Sequence, residues 1–139
     1  ADLRRAGRNV ALLAFGTMVA PSLEVADALD ASVVNMRFVK PLDEDMVLEM
    51  ARTHRLLVTL EENAVAGGAG SAVSELLAKR GVEVRCLHLG LPDLYLDQAT
   101  QQEQLAACGL DVAGIEASVR GAIGALDLDF PVSKGSAGA

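Results

Sequence analysis

Two stretches of the chain, NVALLAF (residues 9–15) and RLLVTL (55–60), are apolar without the alternation of a half-exposed strand, which predicts strands buried on both faces. SVVNMRF (32–38) has the β-branched content of another strand, and VEVRCLHL (82–89) reads as a fourth. Between them the apolar period lengthens to that of a helix. In GTMVAPSLEVADALD, Leu23, Ala26 and Leu29 share one face, and Pro21 suits a first helical turn. DEDMVLEMARTHR carries clear end signals: Asp43 to cap, Glu44 and Asp45 at the positive end of the helix dipole, and Arg52, His54 and Arg55 at the negative end. Met46, Val47, Met50 and Ala51 form its apolar stripe. Residues 71–80 predict a third helix, with Gly81 as its stop signal.

Strands alternating with single helices through short connections imply right-handed βαβ crossovers. The expected fold is therefore α/β, a single three-layer domain whose mainly parallel sheet has helices on both faces. The last third departs from this rhythm. GLPDLYLDQAT reads as a loop, followed by two helical stretches, QQEQLAAC and GIEASVRGAIGAL, with no strand between them. Neither an internal repeat nor a linker is visible, so residues 1–126 are expected to form one domain and residues 127–139, ending in SKGSAGA, a flexible tail.

Composition narrows the core and the partners. With 51% hydrophobic residues but 3% aromatics and no tryptophan, the 139-residue chain must build its interior from Val, Leu, Ala, Ile and Met. A formal charge of −7 repels nucleic acid and anionic lipid, and the twelve Lys and Arg residues form no basic stripe along the sequence. Neither nucleic acid nor membrane is expected as a partner. Cys86 and Cys108 form no metal-ligand spacing and no disulfide framework, which fits two reduced thiols. No run reaches the eighteen or so apolar residues of a membrane span, and ADLRRAGRN has no signal-peptide core, so a cytoplasmic location is expected.

The candidate chemistry centres on EENAVAGGAGSAV, where a strand gives way to a helix through a glycine cluster. That setting favours an anion, because free N–H groups at a helix start point into the loop. The residue chemistry is less favourable. A phosphate-binding loop of the Gly-x-x-x-x-Gly-Lys type needs a lysine that is missing, Val73 stands where a dinucleotide fingerprint needs its third glycine, and Glu61 and Glu62 oppose a diphosphate. Glu61, Glu62, Asn63, Gly67, Gly68, Gly70 and Ser71 are thus read as an interface loop or an anion site, the glycines serving tight packing in the first case. Arg37, just before the Lys40-Pro41 turn, joins them at the carboxyl edge of the sheet. Two roles stay open for it: an anion or partner carboxylate, or a salt bridge to Asp43 or Glu61. His54 and His88 have no ligands at metal spacing and read as structural, and no Gly-x-Ser-x-Gly elbow supplies a nucleophile. No catalytic, cofactor-binding or metal-binding residue is assigned.

Four ordered segments carry a family resemblance: LLAFGTM (12–18), NMRFVKPLDEDMVLEMA (35–51), LVTLEENAVAGGAGSAVSELL (57–77) and LGLPDLYLDQATQQEQLAACGLDVAGI (89–115). Together they resemble the C-terminal domain of the 1-deoxy-D-xylulose 5-phosphate synthases, transketolase-like enzymes dependent on thiamine diphosphate. The resemblance spans residues 9–126. It implies a parent homodimer that condenses pyruvate with glyceraldehyde 3-phosphate, releasing carbon dioxide, with thiamine diphosphate and Mg²⁺ held by two preceding domains. The present chain has no Gly-Asp-Gly motif with a downstream Asn of the kind that holds metal and diphosphate, so it is expected to be inactive alone and to brace the catalytic domains and the second subunit. The resemblance also implies a mixed sheet of about five strands, in which ADLRRAG adds an antiparallel strand that hairpins at Ala6-Gly7 into NVALLAF. Ala99 stands where relatives commonly have glycine. Two other readings compete: a stand-alone module binding a phosphate or metabolite at Gly68 to Ser71, and the C-terminal domain of another transketolase-like or 2-oxo acid dehydrogenase enzyme.

Overall fold

A computed structural model describes residues 1–37, 39, 41–62, 68–90 and 110–129 of the chain. Strands β1 (Asp2–Arg5), β2 (Val10–Ala14), β3 (Ser32–Asn35), β4 (Leu56–Glu61) and β5 (Arg85–Gly90) form one sheet in the order β1-β3-β2-β4-β5. All neighbours are parallel except β1 with β3. This is the mixed, mainly parallel five-strand sheet expected from the sequence. Helices α1 (Val19–Leu29), α2 (Glu44–Thr53), α3 (Ala69–Arg80) and α4 (Val112–Asp129) cover it, with a 3-10 turn at Gly16–Met18 leading into α1.

The two faces follow from alternation along the strands. Val10, Leu12, Ala14, Leu56, Val58 and Leu60 point to one layer and pack with Val25 and Ala26 of α1 and Ile115 and Val119 of α4. Ala11, Leu13, Val34 and Leu57 point to the other, against Val47, Leu48 and Met50 of α2 and Val73, Leu76 and Leu77 of α3. Every residue of β2 and β4 is buried. The end signals also hold: the Asp43 carboxylate accepts from Met46 N–H at 3.1 Å, and Gly81 closes α3 in the left-handed conformation at φ 66°. Helix α3 starts two residues earlier than the sequence suggested, at Ala69. The loop 91–100, with Ala99, and the helical stretch 101–108, with Cys108, lie outside the described residues. The final helix runs to Asp129.

The expected hairpin of β1 with β2 does not form. Strand β2 has β3 on one side and β4 on the other, so both its edges are taken, and β1 crosses over to the free edge of β3. Arg5 fixes that crossing, donating to Ala31 O at 2.7 Å and pairing with Asp27 at 3.2 Å. Gly7 is what lets the chain pass. Its N–H donates to Ser32 Oγ at 2.8 Å, and a Cβ there would lie 2.4 Å from backbone atoms of Asp30 and Ala31. Replacing Gly7 with alanine is expected to cost about 2 kcal/mol through overpacking, read as a lower urea midpoint with unchanged slope; an unshifted midpoint would contradict the close approach.

Candidate functional site

The carboxyl edge of the sheet holds the described members of the candidate loop. Glu61 is the last residue of β4, only 3% exposed, and its side chain lies on the same face as α3. There its Oε2 accepts from Gly70 N–H at 3.0 Å. Gly68, the residue flanking the helix, has no side chain to satisfy the first N–H groups, so a carboxylate from the preceding strand does it instead. An anion at the positive end of a helix is favoured. The place a phosphate oxygen would take at this helix start is thus held by the protein's own carboxylate. Glu61 Oε1 is buried and finds no hydrogen-bond partner among the described residues.

Beside Glu61 a polar seam runs through an otherwise apolar layer. Alternation brings Thr59 to the α3 side, and the β4–β5 register sets it opposite His88. His88 Nδ1 lies 2.7 Å from Thr59 Oγ1, and Nε2 lies 2.9 Å from Ser74 Oγ of α3. A neutral ring suits this arrangement: one hydroxyl donates to the bare nitrogen while the other accepts from the protonated one. Burial pushes the imidazole below its ordinary value, a shift the Glu61 carboxylate partly opposes. Gly70 sits directly over the ring, where an added Cβ would lie 2.8 Å from His88 Cγ and Nδ1. The glycine at position 70 therefore serves the close approach of α3 to β5.

Arg37 does not lie in a strand, as the sequence suggested. Strand β3 ends at Asn35, whose side-chain oxygen accepts from Arg37 N–H at 3.1 Å and turns the chain, leaving Arg37 exposed with φ 63°. Among the described residues it makes no ion pair with Asp43 or Glu61. Gly68 and Ser71 stand at the start of α3, and Glu62 is half-buried just past β4. Asn63 and Gly67 lie outside the described residues.

His54, at the end of α2, is the anchor of a second polar contact on the opposite edge. Its Nδ1 faces Met50 O at 2.9 Å, a pure acceptor, so Nδ1 carries the proton and Nε2 accepts from Ser32 Oγ at 2.8 Å. Thr53 Oγ1 donates to Glu49 O at 2.8 Å and so also accepts from Nδ1. Desolvation lowers this imidazole too. Burial likewise raises the half-buried thiol of Cys86, which is free. Among the described residues no three His, Cys, Asp or Glu side chains gather as metal ligands, and no helix is long and apolar enough to cross a membrane.

These elements, in this order around this sheet, agree with the comparisons. The transketolase C-terminal domain family matches residues 1–115. The chain belongs to that family. As a transketolase C-terminal domain it is 59% identical over 126 residues to the 1-deoxy-D-xylulose-5-phosphate synthase of Pseudomonas entomophila, covering 91% of this chain and 20% of the relative. It is 62% identical over 118 residues to that of Pseudomonas aeruginosa (85% and 19%) and 61% over 123 residues to that of Thiobacillus denitrificans (88% and 20%). A solved structure described as a split-gene transketolase, inactive β4 tetramer, matches with a TM-score of 0.75 and 35% identity over 82% of this chain and 39% of that one. The chain thus spans about a fifth of the length of the curated relatives it matches.

Two predictions follow from the histidines. Gly70→Ala should destabilise the domain by about 1–3 kcal/mol, because the ring below is held at both nitrogens and cannot yield. In a His88→Ala background the same change should become neutral or stabilising by up to about 1 kcal/mol, the helix-propensity gain; equal losses in both backgrounds would sink the packing account. For pH, the folded-state values of His54 and His88 lie below the ordinary 6.5, so the unfolded chain binds protons first. Their contribution is complete above about pH 6.5 and is lost as pH falls through the lower folded-state values. Melting temperature should drop between pH 7.5 and 5.5, less so in His54→Gln; a rise over that interval would contradict it.

Proposed function

We propose that this chain is the C-terminal domain of a 1-deoxy-D-xylulose 5-phosphate synthase, in which it supports the dimer and braces the catalytic domains. The observation that carries the reading is identity near 60% maintained over 118 to 126 residues to synthases from several bacteria, each about five times the length matched. Packing requirements alone would not hold sequence that closely over a whole domain, since many apolar combinations fill a core. The parent reaction is the condensation of pyruvate with glyceraldehyde 3-phosphate with loss of carbon dioxide, in a cytoplasmic homodimer.

Thiamine diphosphate and Mg²⁺ belong, on this reading, to the domains that precede the chain. The described residues do not fit that cofactor. The glycine-flanked helix start at the carboxyl edge, that of α3, already carries the buried Glu61 carboxylate, and a second anion there would be repelled. A transketolase piece described as an inactive tetramer also favours a domain that assembles without turning over substrate. The candidate surface toward the rest of the enzyme comprises Arg37, Glu61, Glu62, Asn63, Gly67, Gly68, Gly70 and Ser71. Glu61 Oε1 gives that surface a buried acceptor, with Arg37 exposed on the same edge.

The purified 139-residue chain, given pyruvate, glyceraldehyde 3-phosphate, thiamine diphosphate and Mg²⁺, should release no carbon dioxide above background. Sustained turnover by this chain alone would overturn the assignment of a non-catalytic role.

A further inference from the structure

Ser32 is buried where β3 begins, only 2% exposed, and three segments meet at its hydroxyl. Gly7 N–H, from the connection between β1 and β2, donates to Ser32 Oγ at 2.8 Å. His54 Nε2, at the end of α2, lies 2.8 Å from the same oxygen. Gly7 O lies 3.3 Å from it, within reach of the hydroxyl but long for an O–H···O bond. A serine hydroxyl carries one proton, and here two acceptors compete for it.

The imidazole decides between them. Its Nδ1 is protonated in either charge state, because Met50 O at 2.9 Å is a pure acceptor and Thr53 Oγ1 at 2.8 Å already donates to Glu49 O. In the neutral ring Nε2 is therefore bare and takes the Ser32 proton. The order is Gly7 N–H to Ser32 Oγ, then Ser32 O–H to Nε2, each bond polarising the next. A proton arriving from solvent can enter only at Nε2. Nε2–H then donates to Ser32 Oγ, and the hydroxyl turns about its Cβ–Oγ bond to Gly7 O, its remaining acceptor. The new N–H is the one covalent bond that forms, and none breaks within the protein.

We propose that Ser32 and His54 form a proton-driven relay in which protonation of Nε2 reverses the Ser32 hydroxyl and clamps Gly7 by its carbonyl as well as its amide. The place matters because Gly7 lets β1 cross to the edge of β3 and has no room for a Cβ. Its neighbours are anchored independently: Arg8 N–H donates to Asp30 O at 2.7 Å, and Asn9 O accepts from the N–H groups of Arg55 and Leu56 at 2.8 and 3.0 Å. The charge of the residue that ends α2 is thus carried to the crossing of β1. In the proposed parent the catalytic domains precede β1, so proton uptake would be reported at that joint. This consequence rests on the proposed parent, whereas the relay does not.

The charges around the ring set the pH of the reversal rather than its sense. Arg8 from the connection, Arg52 from α2, Arg55 before β4, and Glu83 and Arg85 at the entry to β5 share a cavity wall with His54, to which α4 adds the apolar Leu126. Asp27 and Asp30, at the end of α1, pair with Arg5 and Arg8. Burial holds the imidazole below its ordinary 6.5, so the reversal falls below that pH.

The test is an NMR titration of the full chain downward from about pH 8, well above the ordinary imidazole value, with the His54 ring nitrogens reporting protonation and the Gly7 carbonyl carbon reporting the hydrogen bond. The Gly7 carbonyl is expected to move downfield with the same midpoint as the ring. In Ser32→Ala the ring should still titrate while the Gly7 carbonyl no longer follows it. That variant also strips the Gly7 N–H of its acceptor, so His54→Gln, which keeps the hydroxyl, is the second arm; there the Gly7 carbonyl should stay flat over the same interval. The relay is overturned if the ring stays neutral down to acid unfolding, if the Gly7 carbonyl is indifferent to the titration of the ring, or if it moves equally in His54→Gln.

Discussion

A strand with no solvent-facing side has to be covered twice, and β2 and β4 impose that condition on the rest of the chain. All eleven of their residues are buried. A fully buried Leu or Val side chain is stabilised by about 1.5–3 kcal/mol relative to exposure, so leaving either face open would forfeit much of the core. The answer is one pair of helices per face, α1 and α4 against one, α2 and α3 against the other. Parallel pairing then puts the carboxyl ends of β2 to β5 on one edge and their amino ends on the other. The two polar regions of the domain sit at those two edges because the middle of the sheet has no room for them.

That constraint also explains why Glu61 is where it is. A residue on the α3 face of a fully covered strand must be apolar or have a partner. Thr59, Glu61 and His88 break the apolar pattern on that face, and each is matched by something on α3 or by one another: Ser74 for the ring, the Gly70 N–H for the carboxylate, the threonine hydroxyl for the second ring nitrogen. The glycine at position 70 is then dictated by the ring beneath it. A loop that looks like a phosphate cradle in the sequence owes at least this glycine to packing.

Most of the fold was legible in the sequence because it rests on local signals. Continuous apolar runs gave the central strands, and Asp43 and Gly81 marked helix ends in the structure as they do in the letters. The pairing of β1 was not legible from residues 1–15, since it depends on β2 having no free edge, a fact decided by β3 and β4 far along the chain. The turn at Arg37 escaped for a related reason: apolar residues continue past Asn35 with Met36 and Phe38, but the Asn35 side chain captures the next-but-one N–H. At the candidate site the loop's glycines and acids were visible, whereas the bond from Glu61 to Gly70 spans nine residues and needs the helix to be placed first.

A cavity at the amino ends of the central strands, lined by Arg8, Arg52, Arg55 and Arg85, shows the same limit in its plainest form. Read in order, Arg8, Arg52, Arg55 and Arg85 are scattered, and nothing in their spacing suggests a cluster. Three of them nonetheless share a position that sequence can report, at or just before an apolar strand. Those positions fall side by side because β2, β4 and β5 run parallel and enter from the same edge. Basic residues at successive strand entries of a βαβ pattern therefore gather on one edge, whatever their separation along the chain. The converse holds at the other edge, where Glu61 ends its strand and Glu62 follows it. The parallel topology thus sets residues far apart in the chain side by side, arginines at the strand entries beside His54 and Glu61 and Glu62 at a strand exit beside α3.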